Sequence, residues 1–473
     1  MVGMKSLNTI RMGGREILPL VEGGKGVSAT NGASSGAWAA AGGLGTVSAV
    51  NADSHDDDGN LIPQIYRGRT RGARHEELVD YGIEGGVEQV VQARELCGAD
   101  GALNVNVLWE MGGAARVLEG VFASERAGDL VDGVTCGAGM PYKLADIAAK
   151  YGKYYYPIVS SGRAFRALWK RSYHKHAEWM AAVVYEDPWL AGGHNGLSNA
   201  EDPDQPQDPY PRVKDLRDTM RAGGISDDVP IIMAGGVWYL REWADWIDNP
   251  ELGTIAFQFG SRPLLTQESP IPAIWKERLP LLKEGDILLH PFSPTGFYSS
   301  AIKTPFLMDL KHRSERQIAF GSVQCDHRTH KLDVGFKGNK TYYVTKGDLI
   351  RARGWNAQGY TEGLKTPDDT LVFVTPEQAK VIRKDQADCM GCLSQCKFSS
   401  WNEHAENHST GRLADPRSFC IQKTLQDIAH GGDPDDNLTF AGHSAHHFST
   451  DPFYSNGFVP TVKQLVERIL TGD

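Results

Sequence analysis

The chain has 473 residues, 41 % of them hydrophobic, enough for one large domain with an appendage or for two to three ordinary domains. Its net charge of -10 and a sequence pI of ≈ 5.9 argue against a nucleic-acid surface. No apolar run reaches the roughly 18 residues of a membrane span, and Met1 leads into polar residues rather than a signal core, so the expectation is a soluble, cytoplasmic protein.

In chain order, Ile17 to Val21 reads as a short strand, and Glu22 to Ser28 as a glycine loop holding Gly24, Lys25 and Ser28. Gly36 to Ala41 is helix-like, and Gly45 to Val50 is a β-branched strand. The acidic insertion from Ser54 to Asn60 reads as solvated, and a helix around Gly86 to Ala93 leads to the strand Ala102 to Leu108. That strand places Asn104 and Asn106 on one face, because a strand repeats every two residues. Inside a closed barrel both amides point inward, where they need partners that the edge of a ligand ring would supply. Strands follow at Gly133 to Pro141, Tyr154 to Ser161, Met180 to Tyr185, Val229 to Val237 and Thr254 to Arg262. Between the last three lie a Pro-rich surface loop from Glu201 to Pro211, a helix from Val213 to Met220 and a helix around Trp243 and Trp246. Eight alternating strand-and-helix units predict a (β/α)8 TIM barrel, whose sites lie at the carboxyl ends of its strands.

Three of those strand ends carry chemistry. The sixth is followed by Trp189 to Gly196, where His194 stands between glycines. Bare backbone at Gly192 and Gly193 can approach a flat ligand, and histidine exchanges protons near neutral pH, although a histidine among glycines is also a common turn residue. The seventh and eighth strands end in Gly235-Gly236 and Gly260-Ser261 before a helix, the usual place of a barrel's phosphate site.

The three motifs together, Leu190 to Gly196, Ile232 to Val237 and Phe257 to Ser269, resemble the nitronate monooxygenase family, formerly 2-nitropropane dioxygenase. That family includes related enoyl reductases and NAD(P)H:quinone reductases. The resemblance runs from about Ile17 to Phe306 and implies an FMN-binding barrel. On that basis Gly235, Gly236, Gly260 and Ser261 would hold the flavin phosphate, Asn104 would face the ring, and Lys25 or Ser28 would lie near it. His194 would act on the substrate as a base or hydrogen-bond it. The chain departs from the family at Asn195, where Arg is usual, and at Glu186-Asp187-Pro188-Trp189, which replaces small residues. Pro294 to Phe297 and Ser299 to Phe306 look like a degenerate form of the family's later Gly-Arg segment.

The resemblance divides the chain into a barrel, residues 1–306, and an extension, residues 307–473, in which Ala319 to Val323, Thr341 to Val344 and Thr370 to Val374 read as strands of a small α+β unit. Cys389, Cys392 and Cys396, with Cys420 downstream, have the spacing of a metal centre rather than of a disulfide framework. Free thiols, zinc with Cys420 or His404 as fourth ligand, and a [4Fe-4S] cluster all fit that spacing. The arrangement behind an FMN barrel resembles the cluster-bearing branch of the old yellow enzymes, such as dienoyl-CoA reductase, and that resemblance points to iron and sulfur. Cys97 and Cys136 read as small apolar residues, and His443, His446 and His447 as surface or internally satisfied histidines. Val462 to Leu470 is amphipathic and is expected to dock on the barrel.

The function expected from these readings is an FMN-dependent oxidoreductase of a small carbon acid such as an alkyl nitronate. The rivals are an enoyl or quinone reductase fed by NAD(P)H or by a protein electron donor, and a non-catalytic, metal-stapled binding module. No Gly-x-Gly-x-x-Gly fingerprint follows a strand, so NAD(P)H would bind only transiently over the flavin. The partners expected are a small-molecule substrate and such an electron donor, with no nucleic acid or membrane; self-association into a homo-oligomer is left open.

Overall fold

A computed structural model describes residues 7–56, 58–198 and 200–473. Eight parallel strands close into a barrel: β1 (Leu20–Glu22), β2 (Leu44–Ser48), β3 (Ala102–Leu108), β4 (Gly133–Gly137), β5 (Tyr154–Val159), β6 (Val183–Glu186), β7 (Ile231–Ala234) and β8 (Ile255–Phe259). Closure is made by Phe257 of β8 pairing with Leu20 of β1. Alternation along each strand sorts the side chains: Leu103, Val105 and Val107 face the helices, while Ala102, Val184, Ile232 and Ala256 fill the interior. A hairpin, Ile10–Met12 with Arg15–Ile17, closes the amino-terminal end by packing Met12 and Ile17 against that inner layer.

The helices between strands begin where the side chains can satisfy free N–H groups. Gly32–Ala40 starts with a reciprocal capping box between Asn31 and Ser34, and Gly162–Arg171 is capped by Ser161. The segment expected around Gly86 to Ala93 belongs to a far longer helix, Arg71–Cys97. After β7 and β8 the expected α-helices are replaced by short 3-10 turns, Leu240–Trp246 and Arg262–Leu265. In the first, Trp243 and Trp246 pack edge to face, 4.8 Å between ring centres, against the barrel wall.

Beyond β8 the chain adds a second layer over the carboxyl-terminal mouth. Gly193–His194, Ser299–Ile302 and Ile287–His290 form a three-stranded antiparallel sheet there. Gln317–Ala319, Glu362–Lys365 and Thr370–Val374 form another sheet, which with the helix Lys346–Ala357 encloses a separate small core around Ile318, Leu332, Leu371 and Phe373. The chain then returns to the barrel: Leu393 bridges Met111, Phe440 bridges Ala301, and the helix Val462–Leu470 buries Val462, Leu465, Val466 and Ile469 beside Gly32–Ala40. A fully buried ion pair, Arg262 to Asp451 at 3.3 Å, ties the returning chain to the loop after β8.

Candidate active site

A cavity opens at the carboxyl ends of the strands. Together with the open solvent at its mouth, the empty space there amounts to about 1590 Å³. Its lining joins Gly24, Lys25, Asn106, Gly192, Gly193, His194, Gly235, Gly236, Gly260 and Ser261. Two expected residues lie elsewhere. Asn104 is one inward step deeper in β3, fully buried with its Nδ2 donating to Thr135 Oγ1 at 3.2 Å, so Asn106, nearer the mouth, is the amide that reaches the cavity. Ser28 turns away: its Oγ accepts from Asp53 N at 3.2 Å, and it lines a smaller separate hollow with Asp53 and His430.

Glycine is required at several of these positions. Gly235 and Gly236 have φ of +93° and +78°, conformations that side chains disfavour. A Cβ on Gly24 would fall 2.5 Å from Asn106 Cβ, and one on Gly192 would fall 2.6 Å from backbone atoms of Ala441 and Gly442. Ser261 Oγ accepts from Gly442 N at 2.8 Å, so the loop after β8 and the returning chain are joined at the cavity wall. With only 3-10 turns behind them, Gly235-Gly236 and Gly260-Ser261 can cradle an anion through their own N–H groups rather than a long helix dipole.

These residues fit FMN. Asn106 Oδ1 is buried with no hydrogen-bond partner, and space is open around Gly260, where a Cβ would meet nothing within 4 Å. Lys25 offers a cation: its Nζ donates to Gly23 O at 2.7 Å and stands 4.0 Å from Glu22 Oε1, while burial pushes it down to about 8 against the pull of that carboxylate.

His194 pairs with Ser299 in the mouth sheet, eight residues beyond the end of β6. Its Nε2 lies 2.6 Å from Ser293 Oγ, which in turn lies 2.8 Å from Thr295 Oγ1, and the ring of Phe440 stands edge-on at 5.3 Å. Burial pushes His194 down to about 4, so the ring is uncharged at neutral pH, the form that can accept a proton from a substrate or hydrogen-bond it. His290 behind it is pushed down to about 3 by burial and by His194.

Sequence reasoning noted Glu186 only as a departure from the family pattern. It lies two residues beyond Val184, an interior residue, so the period-two argument used for Asn104 and Asn106 would have sent it inward. There it lines the cavity, opposite Ala234 of β7, and burial with the charge of Asp187 pushes it up to about 8.

The thiols are close but do not form a single-ion site. Cys389, Cys392, Cys396 and Cys420 are all unpaired, and Cys392 is raised by burial and by the neighbouring thiols of the other three. Among the described residues, no three His, Cys, Asp or Glu side chains come together as a metal-holding group, so neither the zinc nor the [4Fe-4S] expectation gains support from the geometry. His404 lies apart, in a cleft with Trp109 and Lys143. Cys392 itself lines the main cavity. Among the histidines expected to be internally satisfied, His443 lies 3.3 Å from Ser300 Oγ.

Residues 131–345 match the family model of nitronate monooxygenase. No curated protein matches the sequence significantly. Among solved structures, FabK from Thermotoga maritima aligns over 96 % of this chain and 92 % of its own, with 17 % identity and a TM-score of 0.52. The enoyl reductase domain of MlnA from Bacillus amyloliquefaciens aligns over 96 % and 94 %, with 12 % identity and a TM-score of 0.52. At such identities these two report a shared fold. No helix among the described residues is long and apolar enough to cross a membrane. The match over residues 131–345 and the closed eight-stranded barrel are what this chain shares with the nitronate monooxygenase family.

Proposed function

We propose that the protein oxidises a small carbon acid of the alkyl nitronate type, with FMN in the mouth cavity. The observation that carries this reading is the convergence on one cavity of two glycine strand ends, the partnerless Asn106 oxygen and His194. Gly235, Gly236, Gly260 and Ser261 would hold the phosphate, and Asn106 and Lys25 would face the ring. Bound FMN supplies the two-electron chemistry. The chain itself excludes water with Phe440 and Ile271, and positions the substrate through the uncharged His194 and its Ser293 partner. The test is the visible spectrum of the purified protein, followed by anaerobic bleaching with a nitronate and, separately, with NAD(P)H. Bleaching by the nitronate supports the reading, and a protein that stays colourless after incubation with FMN overturns it in favour of a binding module. His194→Asn should keep the flavin while turnover falls about a hundredfold; unchanged turnover removes His194 from the mechanism.

A second reading, a reductase fed by NAD(P)H or a protein electron donor, is favoured by the thiols at the cavity wall. Cys389, Cys392, Cys396 and Cys420 are neighbouring unpaired thiols, in the number that a [4Fe-4S] cluster takes as ligands. Ser399 Oγ at 3.1 Å and Gly391 N at 3.4 Å donate to Cys389 Sγ, as thiolate sites require. About four irons and four sulfides per chain after anaerobic purification support it, and iron-free protein with four titratable thiols rejects it.

A further inference from the structure

One ionisable group in the cavity has no part in the scheme above. Glu186 occupies the last position of β6, at the carboxyl end of the strand where barrel enzymes place reacting groups. Its carboxyl has no hydrogen-bond or ion-pair partner among the described residues, and it lines the cavity that His194 lines. Glu186 is half-buried, and its carboxyl meets the cavity rather than the protein, where a molecule entering can partner it. The neighbouring carboxylate is engaged: Asp187 Oδ1 accepts from Trp189 N and Leu190 N, both at 2.9 Å, and so shapes the turn that delivers the Gly192-Gly193-His194 segment.

We propose that Glu186, rather than His194, takes the proton from a neutral carbon acid of the nitroalkane class bound in this cavity, with His194 as the uncharged group that positions it. The proposal rests on the flavin oxidoreductase reading and adds to it the neutral acid as a substrate and the identity of the proton acceptor. In the step, the α C–H bond breaks and its electron pair moves through carbon into the nitro group, giving the nitronate. The proton forms an O–H bond on the Glu186 carboxylate and passes later to solvent.

Relative basicity supports this division of labour. Burial raises the Glu186 carboxyl and lowers the His194 imidazole, so the carboxylate is the stronger base of the two. The charged and titratable groups around it are Asp187 on its own strand, which raises it, and Lys25 and His194, which line the cavity from the β1 loop and the mouth sheet. Gln258 of β8 lines the same cavity without charge.

A pair of substrates separates proton transfer from the rest of turnover, because a pre-formed nitronate has already lost the proton that the parent nitroalkane keeps. In Glu186→Gln, oxidation of nitroethane should fall about a hundredfold or more, oxidation of its pre-formed nitronate should change by less than about threefold, and the FMN content should equal that of the unaltered protein. Equal losses with both substrates, or no loss with either, overturn the proposal. Infrared difference spectra of the unaltered protein against Glu186→Gln need no substrate. A protonated carboxyl band at pH 6 that disappears around pH 8 is the expected result, and an ionised band already present at pH 6 overturns the assignment. A yellow protein with Glu186 ionised at pH 6 defeats this proposal alone, whereas a protein that takes up no FMN defeats the function reading and this proposal together.

Discussion

The two ends of the barrel are built on opposite terms. At the amino-terminal end Met12 and Ile17 of the hairpin pack with Val21, Leu44, Ala102, Val184 and Ile232 in an apolar inner layer. At the carboxyl-terminal end the same strands finish in Glu186, Asn106 and Gln258 around open space, with Asn106 Oδ1 left without a partner. The sealed end is held by apolar packing, and the open end presents polar groups, the Asn106 oxygen among them, where a ligand can meet them. One barrel thus carries a sealed end and a reactive end, and the strands' alternation decides which residues belong to each.

Substitutions at the two ends should therefore fail in different ways. The largest effect is expected at Gly192→Val, whose side chain collides with the backbone of Ala441 and Gly442: FMN affinity measured by fluorescence titration should drop about a hundredfold or more. At the sealed end, Met12→Ala should cost about 2–4 kcal/mol in denaturant unfolding and leave FMN affinity unchanged. Loss of FMN from that variant would show that the two ends are not independent. Asn106→Ala should weaken FMN about tenfold, whereas Asn104→Ala should lower stability and spare the flavin. The smallest effect is a pH signature. Glu186 is raised in the folded state from 4.5 to about 8, so its contribution to stability is fully present below pH 4.5 and is lost as pH rises through about 8. Glu186→Gln should therefore raise the thermal midpoint by a few degrees at pH 8.5 and by almost nothing at pH 5, as read by calorimetry. An equal gain at both pH values would mean that Glu186 does not titrate as described.

Much of this contrast could be read from residue order. The eight strands follow from runs such as Ala102 to Leu108, because β-branched residues between glycines at that spacing have few alternatives to a closed parallel sheet. The glycines of the cavity were readable because a strand ending in bare backbone has a narrow set of uses. Depth along the barrel was harder: Asn104 and Asn106 share a face, and only the position of the mouth tells which one meets a ligand. Ser28 was misplaced because the direction of a loop residue depends on the backbone around it, here a left-handed φ of 55°. The thiols were readable as a group but not as a geometry, since spacing alone does not say how far apart four sulfurs come to rest. Glu186 was legible from alternation, two residues beyond the interior Val184, but a carboxylate at a strand end is equally at home facing solvent, so its direction depends on where the mouth lies.

The segment from Thr439 to Ser444 meets three pieces of the rim. Gly442 N reaches Ser261 Oγ, His443 N reaches Leu190 O at 3.0 Å, and Ala441 N reaches Ser300 O at 3.4 Å. It works as a latch fastened to the β8 loop, the β6 loop and the mouth sheet at once. The wall that a molecule in the cavity would meet is therefore shaped in part by residues far along the chain from the strands beneath it.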